Sequence, residues 1–146
     1  MTDDGAKGAS LKYAGFWTRV AATVIDSAWL YTIVYGILFY GIVSGKFSKG
    51  ESAFLVFDVI VEWILPMVVV LAFWIAKSAT PGKMALHIKI VDAKTGEKAT
   101  PLRLVIRYLG YFVSIIPLFL GIIWIAWDQR KQGWHDKIAR TLVVHR

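Results

Sequence analysis

Arg19 and Asp26 lie seven residues apart within the segment 16–43, which otherwise has the composition of a membrane-spanning helix. A charge in the hydrocarbon of a bilayer costs about 3 kcal/mol on insertion scales. Seven residues make nearly two helical turns, so both side chains share one face, about 10 Å apart along the axis. Arg19 is close enough to the helix end to reach the headgroups. Asp26 lies deeper, and we expect it to use Arg107, a water chain or a bound cation.

The composition indicates an integral membrane protein with one small helical bundle. Of 146 residues, 57% are hydrophobic, which is more than a soluble domain of this size needs. The absence of cysteine excludes disulfides and thiol ligands. The net charge of +7 comes from basic residues that flank apolar segments. That placement favours cytoplasmic retention and contact with anionic lipid over binding of nucleic acid.

Two long apolar segments follow a polar tail. We expect residues 1–12 to form a cytoplasmic N-terminal tail and residues 13–146 to form one membrane domain. The first span is predicted over 16–43 and the second over 53–76, each long enough to cross a core of about 30 Å. Pro66 should bend the second span because it lacks a backbone donor.

A third hydrophobic segment, 102–127, is interrupted by Pro117 and Gly121. The region 77–107 and the tail 128–146 carry most of the basic residues, so the positive-inside rule places both on the cytoplasmic side. Three straight spans would leave the tail outside. A broken, re-entrant or interfacial pair of helices satisfies the rule, and three ordinary spans with a basic external tail are the alternative.

The segment 77–101 should contain a short β-hairpin on the cytoplasmic face. Apolar residues recur there with a period of two, which favours a strand, at Met84, Leu86, Ile88 and Ile90. The following run, 92–97, has the residues of a turn, and Gly96 is free to adopt positive φ. The predicted fold is therefore an all-α membrane bundle, with two long spans, a broken third segment and this hairpin.

Two further acidic residues lie in the second span. Asp58 and Glu62 are four residues apart and share a helix face. With Asp26 they could form an acidic ladder of the kind that occurs in proton and cation paths. We place Asp58 at the outer interface. Glu62 is either a second acidic station or a buried, protonated carboxyl.

The remaining candidates lie in the loop and the tail. Thr80-Pro81-Gly82-Lys83 has a turn signal but lacks the spacing of a phosphate-binding loop. In the tail, His135 could titrate near neutral pH, and Asp136 could pair with a basic residue. The three histidines lack metal-ligand spacing, and no nucleophile motif is present, so we expect no metal, no cofactor and no enzyme activity.

Together these pieces resemble the RDD family of membrane proteins, named for one arginine and two aspartates. The opening motif would be residues 15–26, which supply Arg19 and Asp26. The loop motif would be Thr80-Pro81-Gly82-Lys83, and Arg107 matches a frequent arginine of the third segment. His135-Asp136 resembles the closing motif and supplies the second aspartate. The resemblance implies a bacterial inner-membrane protein, and it implies transport without naming a ligand.

We therefore interpret the chain as a small multi-pass transporter or transporter subunit, with a cytoplasmic N-terminus and possible cation–proton exchange. Asp26 would bind the ion, Arg19 and Arg107 would tune its charge, and Glu62 would be a second station. One copy has few helices, so this hypothesis requires a homo-oligomer or a partner membrane subunit. The alternative is a non-catalytic scaffold or accessory subunit, whose Arg and Asp residues clamp helices or bind a partner or anionic lipid.

Overall fold

The computed structural model describes residues 11–46 and 52–146. The predicted N-terminal tail, 1–12, lies outside the described residues except for its last two positions. The described chain contains long apolar helices, several short helices and one two-stranded sheet.

The first helix, α1 (Phe16–Val43), coincides with the predicted first span. Its 28 residues correspond to about 42 Å, more than the thickness of a bilayer core. Only 17% of its most apolar stretch is buried within the chain, so most of its apolar surface faces outwards. Gly45 follows with a φ of +67°, a left-handed conformation that glycine adopts without steric cost.

The second span comprises α2 (Ser52–Val59), a π-helical turn (Ile60–Ile64) and α3 (Leu65–Lys77). The π-helical turn comes immediately before Pro66, whose ring nitrogen has no hydrogen to donate. The predicted disturbance at this proline therefore takes the form of a widened turn, and the run remains one apolar helix of 26 residues.

The third apolar segment is broken at the predicted place. Helix α5 (Pro101–Ile115) and the short pair α6 (Leu120–Ile123) with a 3₁₀ turn (Trp124–Ala126) are bent by 113° relative to each other. Leu118 and Phe119 both have positive φ and reverse the chain after Pro117. Among the described residues, two helices are long and apolar enough to cross a membrane, or three if the bent pair is one span.

The sheet differs from the predicted hairpin. Strand β1 (Ile88–Asp92) pairs antiparallel with β2 (Thr141–His145), with Ile90 opposite Val143. The turn after β1 forms as expected, with Gly96 at a φ of +72°. The chain that follows the turn contributes only an isolated bridge, so the partner strand is the C-terminal run. A two-stranded hairpin alone is marginal, whereas β2 brings a further row of buried apolar side chains.

The loop motif also differs from its prediction as a turn. Thr80 is extended and Pro81 begins a short helix, α4 (Pro81–Ala85), in which the fixed φ of proline is favourable. The predicted strand positions Met84 and Leu86 therefore lie in and just after this helix. A further short helix, α7 (Trp134–Ala139), precedes β2.

The best-packed part of the protein lies at the end of the bundle where α1 begins. There the sheet packs on α1, α3 and α5 around side chains that are at most 2% exposed, including Ala22, Trp74, Ile88, Leu104 and Val143. We call this part the base. The spans beyond it expose many large apolar side chains, so the base supplies most of the internal packing.

Glycine at position 121 should be required for the break in the third segment. A Cβ atom added there would lie 2.7 Å from the Ser114 Cα atom, and backbone cannot move aside cheaply. We expect Gly121→Ala to lower the free energy of unfolding by about 1–3 kcal/mol, measured in detergent. Gly36→Ala is the matched control, since that position of α1 has open space and alanine is the better helix former. Equal stability of the two variants would contradict this account.

Candidate functional site

Asp136 is the centre of a buried cluster of charges. It is fully buried and accepts hydrogen bonds from two arginines: Nη1 of Arg19 lies 2.5 Å from one carboxylate oxygen, and Nη1 of Arg107 bonds to the other. Asp136 is also the third residue of α7 and accepts the Gly133 backbone N–H at 3.0 Å. This arrangement stabilises the first turn of α7. We call Arg19, Arg107 and Asp136 the clamp.

Further polar groups bind the clamp arginines, and among the described residues only Arg107 Nε of the two guanidinium groups is buried without a hydrogen-bond partner. Arg19 Nε donates to the Ala14 carbonyl at 3.0 Å, and its Nη2 donates to the Lys131 carbonyl. Arg107 Nη1 donates to the Thr141 hydroxyl at 2.9 Å. Buried ions are tolerated when they are paired and most of their hydrogen-bonding groups are met in this way. The clamp therefore joins α1, α5, α7 and the start of β2.

These contacts correct two predictions. Arg19 does not extend to the headgroups, because it is 7% exposed and bound to Asp136. Arg107 does not pair with Asp26, because its carboxylate partner is also Asp136. The sequence suggested that Asp136 pairs with a basic residue, and the structure provides two.

His135 lies beside the clamp and is neutral. Its ring stacks on Tyr111 with centroids 3.9 Å apart, and its Nδ1 is 3.2 Å from the Ser114 hydroxyl. Burial lowers the pKa of His135 well below its ordinary value, and the nearby charges of Arg107 and Arg19 lower it further. This environment opposes the expected titration near neutral pH, although Nε2 is only 3.6 Å from Asp136.

Asp26 has a separate environment, made largely by the loop motif. One carboxylate oxygen accepts the Gly82 backbone N–H at 2.7 Å and the Trp29 indole N–H at 3.3 Å. The other accepts the Thr80 hydroxyl and lies 4.0 Å from the Lys83 ammonium. A helix start thus presents a backbone donor, a hydroxyl and a cation to one carboxylate.

Gly82 makes this approach possible. A Cβ atom at that position would lie 2.2 Å from the Ala22 carbonyl oxygen and 2.9 Å from the Asp26 carboxylate carbon. Only a residue without a side chain lets α4 contact α1 this closely. The sequence motif assigned as a turn is therefore the support for Asp26.

Lys83 is a buried cation next to this carboxylate. It is 7% exposed, its ammonium group lies 3.3 Å from the Thr80 hydroxyl, and it faces the Trp74 ring at 5.8 Å. Burial lowers the pKa of Lys83, the negative charge of Asp26 raises it, and the positive charges of Arg107 and Arg19 lower it. The net direction is downward, so the ammonium group releases its proton more readily than a surface lysine does.

A cavity of about 520 Å³ adjoins these residues, between α1, α3 and α5. Asp26, Thr80 and Lys83 line it, and Glu62 lines it from the π-helical turn. The remaining lining is mostly aliphatic and aromatic, including Tyr111. The structure thus brings Asp26 and Glu62 to one cavity, while the clamp residues do not line it.

Two contributors were missing from the sequence-based prediction. Tyr111 lies between the clamp and the cavity: its hydroxyl is 3.4 Å from Arg107 Nη2, and its ring stacks on His135. Trp74 faces both Lys83 and Arg107. For Tyr111, the available sequence signal was its position four residues after Arg107 on the same helix. Nothing in the sequence pattern distinguishes Trp74 from the other aromatic residues of the apolar segments.

Comparison with known proteins identifies a family for this chain and relatives that include a membrane protein. The RDD family profile matches residues 13–140, so the chain belongs to the RDD family. It is 31% identical to the uncharacterized membrane protein YteJ of Bacillus subtilis, over 91% of this chain and 81% of that one. It is 29% identical to the uncharacterized protein YxaI of the same organism, over 92% and 99%.

A third relative matches over a shorter stretch. The uncharacterized protein RP437 of Rickettsia prowazekii is 40% identical over 51% of this chain and 40% of its own length. No solved structure matches the chain with significance.

Loss of the clamp carboxylate should destabilise the base. Asp136→Asn leaves two buried arginines without a counterion, and we expect the free energy of unfolding to fall by about 3–5 kcal/mol. The control is Asp128→Asn, because Asp128 pairs with Lys137, whose side chain is 45% exposed. That change should cost less than about 1 kcal/mol. Thermal unfolding in detergent measures both, and similar losses would contradict a central role for the clamp.

The neutral state of His135 should make stability depend on pH. Since the pKa of His135 is lowered in the fold, the unfolded chain takes up a proton below about pH 6.5 and the folded chain does not. Stability should therefore fall with decreasing pH, by up to about 1.4 kcal/mol per pH unit. His135→Gln should remove this part of the slope. Unfolding between pH 5.5 and 7.5 measures it, and parallel curves for both proteins would refute the assignment.

Proposed function

We propose that this RDD-family protein is a small transporter or transporter subunit that exchanges monovalent cations for protons at Asp26. The observation that carries the proposal is the Asp26–Lys83 pair, separated by 4.0 Å on the wall of one cavity. The carboxylate offers the negative charge that a cation requires. The neighbouring lysine supplies the positive charge that a cation would replace.

Charge balance couples the two ions. A cation that binds to Asp26 beside a charged Lys83 is repelled at short range. Release of the Lys83 proton removes this repulsion, and reprotonation expels the cation. The lowered pKa of Lys83 favours this step, because less free energy is needed to remove its proton. Binding of one cation and release of one proton leave the net charge of the site, including the bound cation, unchanged.

Glu62 is the proposed second station. It lies on the same cavity wall as Asp26, and it forms no ion pair with the described residues. A π-helical turn carries it, and such turns are frequent at functional sites. Arg19 and Arg107 act from outside the cavity in this proposal, through their positive potential and through the position of Tyr111.

The chain connections favour a re-entrant third segment. β2 pairs with β1, and Val144 bridges to Tyr13, just before α1. Lys77, at the end of the second span, is bonded to Arg146. If α1 and the second span both cross the membrane, the start of α1 and the end of the second span lie on the same side. The C-terminal strand β2 contacts that side, so α5 and α6 must bring the chain back to it. With basic residues inside, we propose a bacterial inner membrane with that side cytoplasmic.

The proposed working unit contains more than one copy or a partner membrane subunit. The most apolar stretches of the two spans are only 17% and 6% buried within the chain. Lipid can cover these surfaces, but a closed ion path needs walls on all sides of the cavity. A second set of helices would provide them.

One observation favours the alternative of a scaffold or accessory subunit. The clamp residues are buried and do not line the cavity, so they can serve structure alone. In that case the Asp26–Lys83 pair holds α4 on α1, and the exposed spans bind another membrane protein.

Flux measurements in proteoliposomes test the proposal. Radioactive Na⁺ uptake and an internal pH dye should report exchange by the wild type, with Li⁺ and K⁺ as further cations. Asp26→Asn should abolish both signals while the protein stays folded. Asp58→Asn is the matched control, because Asp58 does not line the cavity, and it should retain both signals. Absence of wild-type flux with all three cations would favour the accessory-subunit alternative.

Lys83 provides a separate test of the coupling. Lys83→Gln removes the titrating group but keeps a polar side chain near Asp26. We expect cation uptake to continue down its gradient without the pH signal, because no proton leaves when the cation binds. Coupled exchange by this variant would contradict the proton role of Lys83 while leaving the role of Asp26 intact.

A further inference from the structure

A second cavity, of about 380 Å³, lies on the surface of the base. Its lining includes five basic side chains and the amide of Gln132; the basic residues are Lys94, Arg103, Arg130, Lys137 and Arg140. They come from the turn after β1, the first turn of α5, the chain before α7 and the end of α7. Residues far apart in sequence thus converge to give one strongly positive concave surface, which we call the basic pocket.

The basic pocket is built by specific contacts. Arg103 forms an ion pair with Asp92, and Arg130 Nη2 donates to the Ala93 carbonyl at 2.8 Å. Gln132, which is 7% exposed, donates to the Thr141 carbonyl at 2.8 Å. These contacts fix the walls before any ligand arrives.

Charge in the pocket is not balanced by its neighbours. Lys137 is 2.5 Å from Asp128, and Arg103 has Asp92 as its partner. Burial raises the pKa of Asp92, but hydrogen bonds from backbone N–H groups and the Arg103 guanidinium lower it by more. The net direction is downward, so this carboxylate remains charged. Lys94 and Arg140 form no side-chain ion pair or hydrogen bond with any described residue. The pocket therefore has two cations available for an anion.

Exposed apolar residues lie next in sequence to several of the basic and acidic residues at the pocket. Leu102 next to Arg103 is 69% exposed, Trp127 next to Asp128 is 74% exposed, and Ile138 next to Lys137 is 50% exposed. The Trp124 ring faces the Lys137 ammonium at 5.6 Å. Tryptophan and aliphatic side chains beside basic groups are typical of the boundary between headgroups and hydrocarbon.

We propose that the basic pocket binds the phosphate of an anionic phospholipid. Lys94 and Arg140 would contact the phosphate, with Arg103 and Lys137 contributing positive potential. The exposed apolar residues would contact the acyl chains just below. A phospholipid fits both the basic pocket and the exposed apolar residues, whereas a free phosphate ion would contact only the basic pocket. The proposal does not depend on transport.

Lipid titration followed by native mass spectrometry tests it, with the full chain in non-ionic detergent. We expect dioleoyl-phosphatidylglycerol to bind more tightly than dioleoyl-phosphatidylcholine. The double variant Lys94→Gln/Arg140→Gln should weaken phosphatidylglycerol binding by about fivefold for each charge removed. Its phosphatidylcholine binding should be unchanged. Both side chains lack partners in the described chain, so the melting temperature should not change.

The control variant is Lys46→Gln, which removes one positive charge at the far end of α1. It should bind phosphatidylglycerol as the wild type does. High sodium chloride should weaken the wild-type preference, because the pocket is exposed to solvent. Equal affinity for the two lipids, or an unchanged affinity of the double variant, would overturn the proposal. Displacement of the lipid by inorganic phosphate at an equal concentration would show that free phosphate is the preferred ligand, and would also overturn it.

Discussion

The rest of the structure depends on one buried carboxylate that neutralises two arginines. Asp136 lies near the C-terminus, yet it holds Arg19 at the start of α1 and Arg107 in the middle of α5. Neither arginine could remain in an apolar interior without this partner, because the cost of burying an unpaired charge is far larger than the packing gained. The clamp therefore determines how the first span, the third segment and the tail are joined.

The two halves of the molecule are stabilised differently. In the base, strands and short helices bury their apolar residues against the ends of the spans, as in a small soluble protein. In the spans, the backbone hydrogen bonds are internal to each helix, and most apolar side chains face outwards. The outward apolar surfaces of the spans need lipid or neighbouring helices to cover them. The base fixes the positions of the spans at one end.

The cavity lies at the junction of these two halves, which accounts for its chemistry. Polar groups from α4 reach a carboxylate inside α1 because Gly82 allows the backbones to touch. Lys83 enters with them and is desolvated by the aromatic residues around it. The Asp26 carboxylate and the Lys83 ammonium therefore both line the cavity. The clamp residues do not line it, and their carboxylate is fully enclosed.

The sequence alone determined the elements whose signals are local. The long apolar run set the bounds of α1, Pro66 and Pro117 located the disturbed turn and the break, and Gly96 located the turn after β1. The sequence also identified Asp26 and Asp136 as residues that need partners, since an uncompensated charge is costly wherever it is buried.

Only the tertiary structure decided which groups meet. Arg107 binds Asp136 and leaves Asp26 to the loop motif, and β1 pairs with the C-terminal strand instead of its neighbour. Met84 lies in a helix although its spacing indicated a strand, because Pro81 starts that helix after only three intervening residues, 78–80, beyond the end of the span. Arg19 and Asp136 are 117 residues apart, and no local pattern specifies a contact across that separation. The choice among several arginines and carboxylates depends on packing the whole chain, where the arrangement that leaves fewest buried charges unpaired is the stable one.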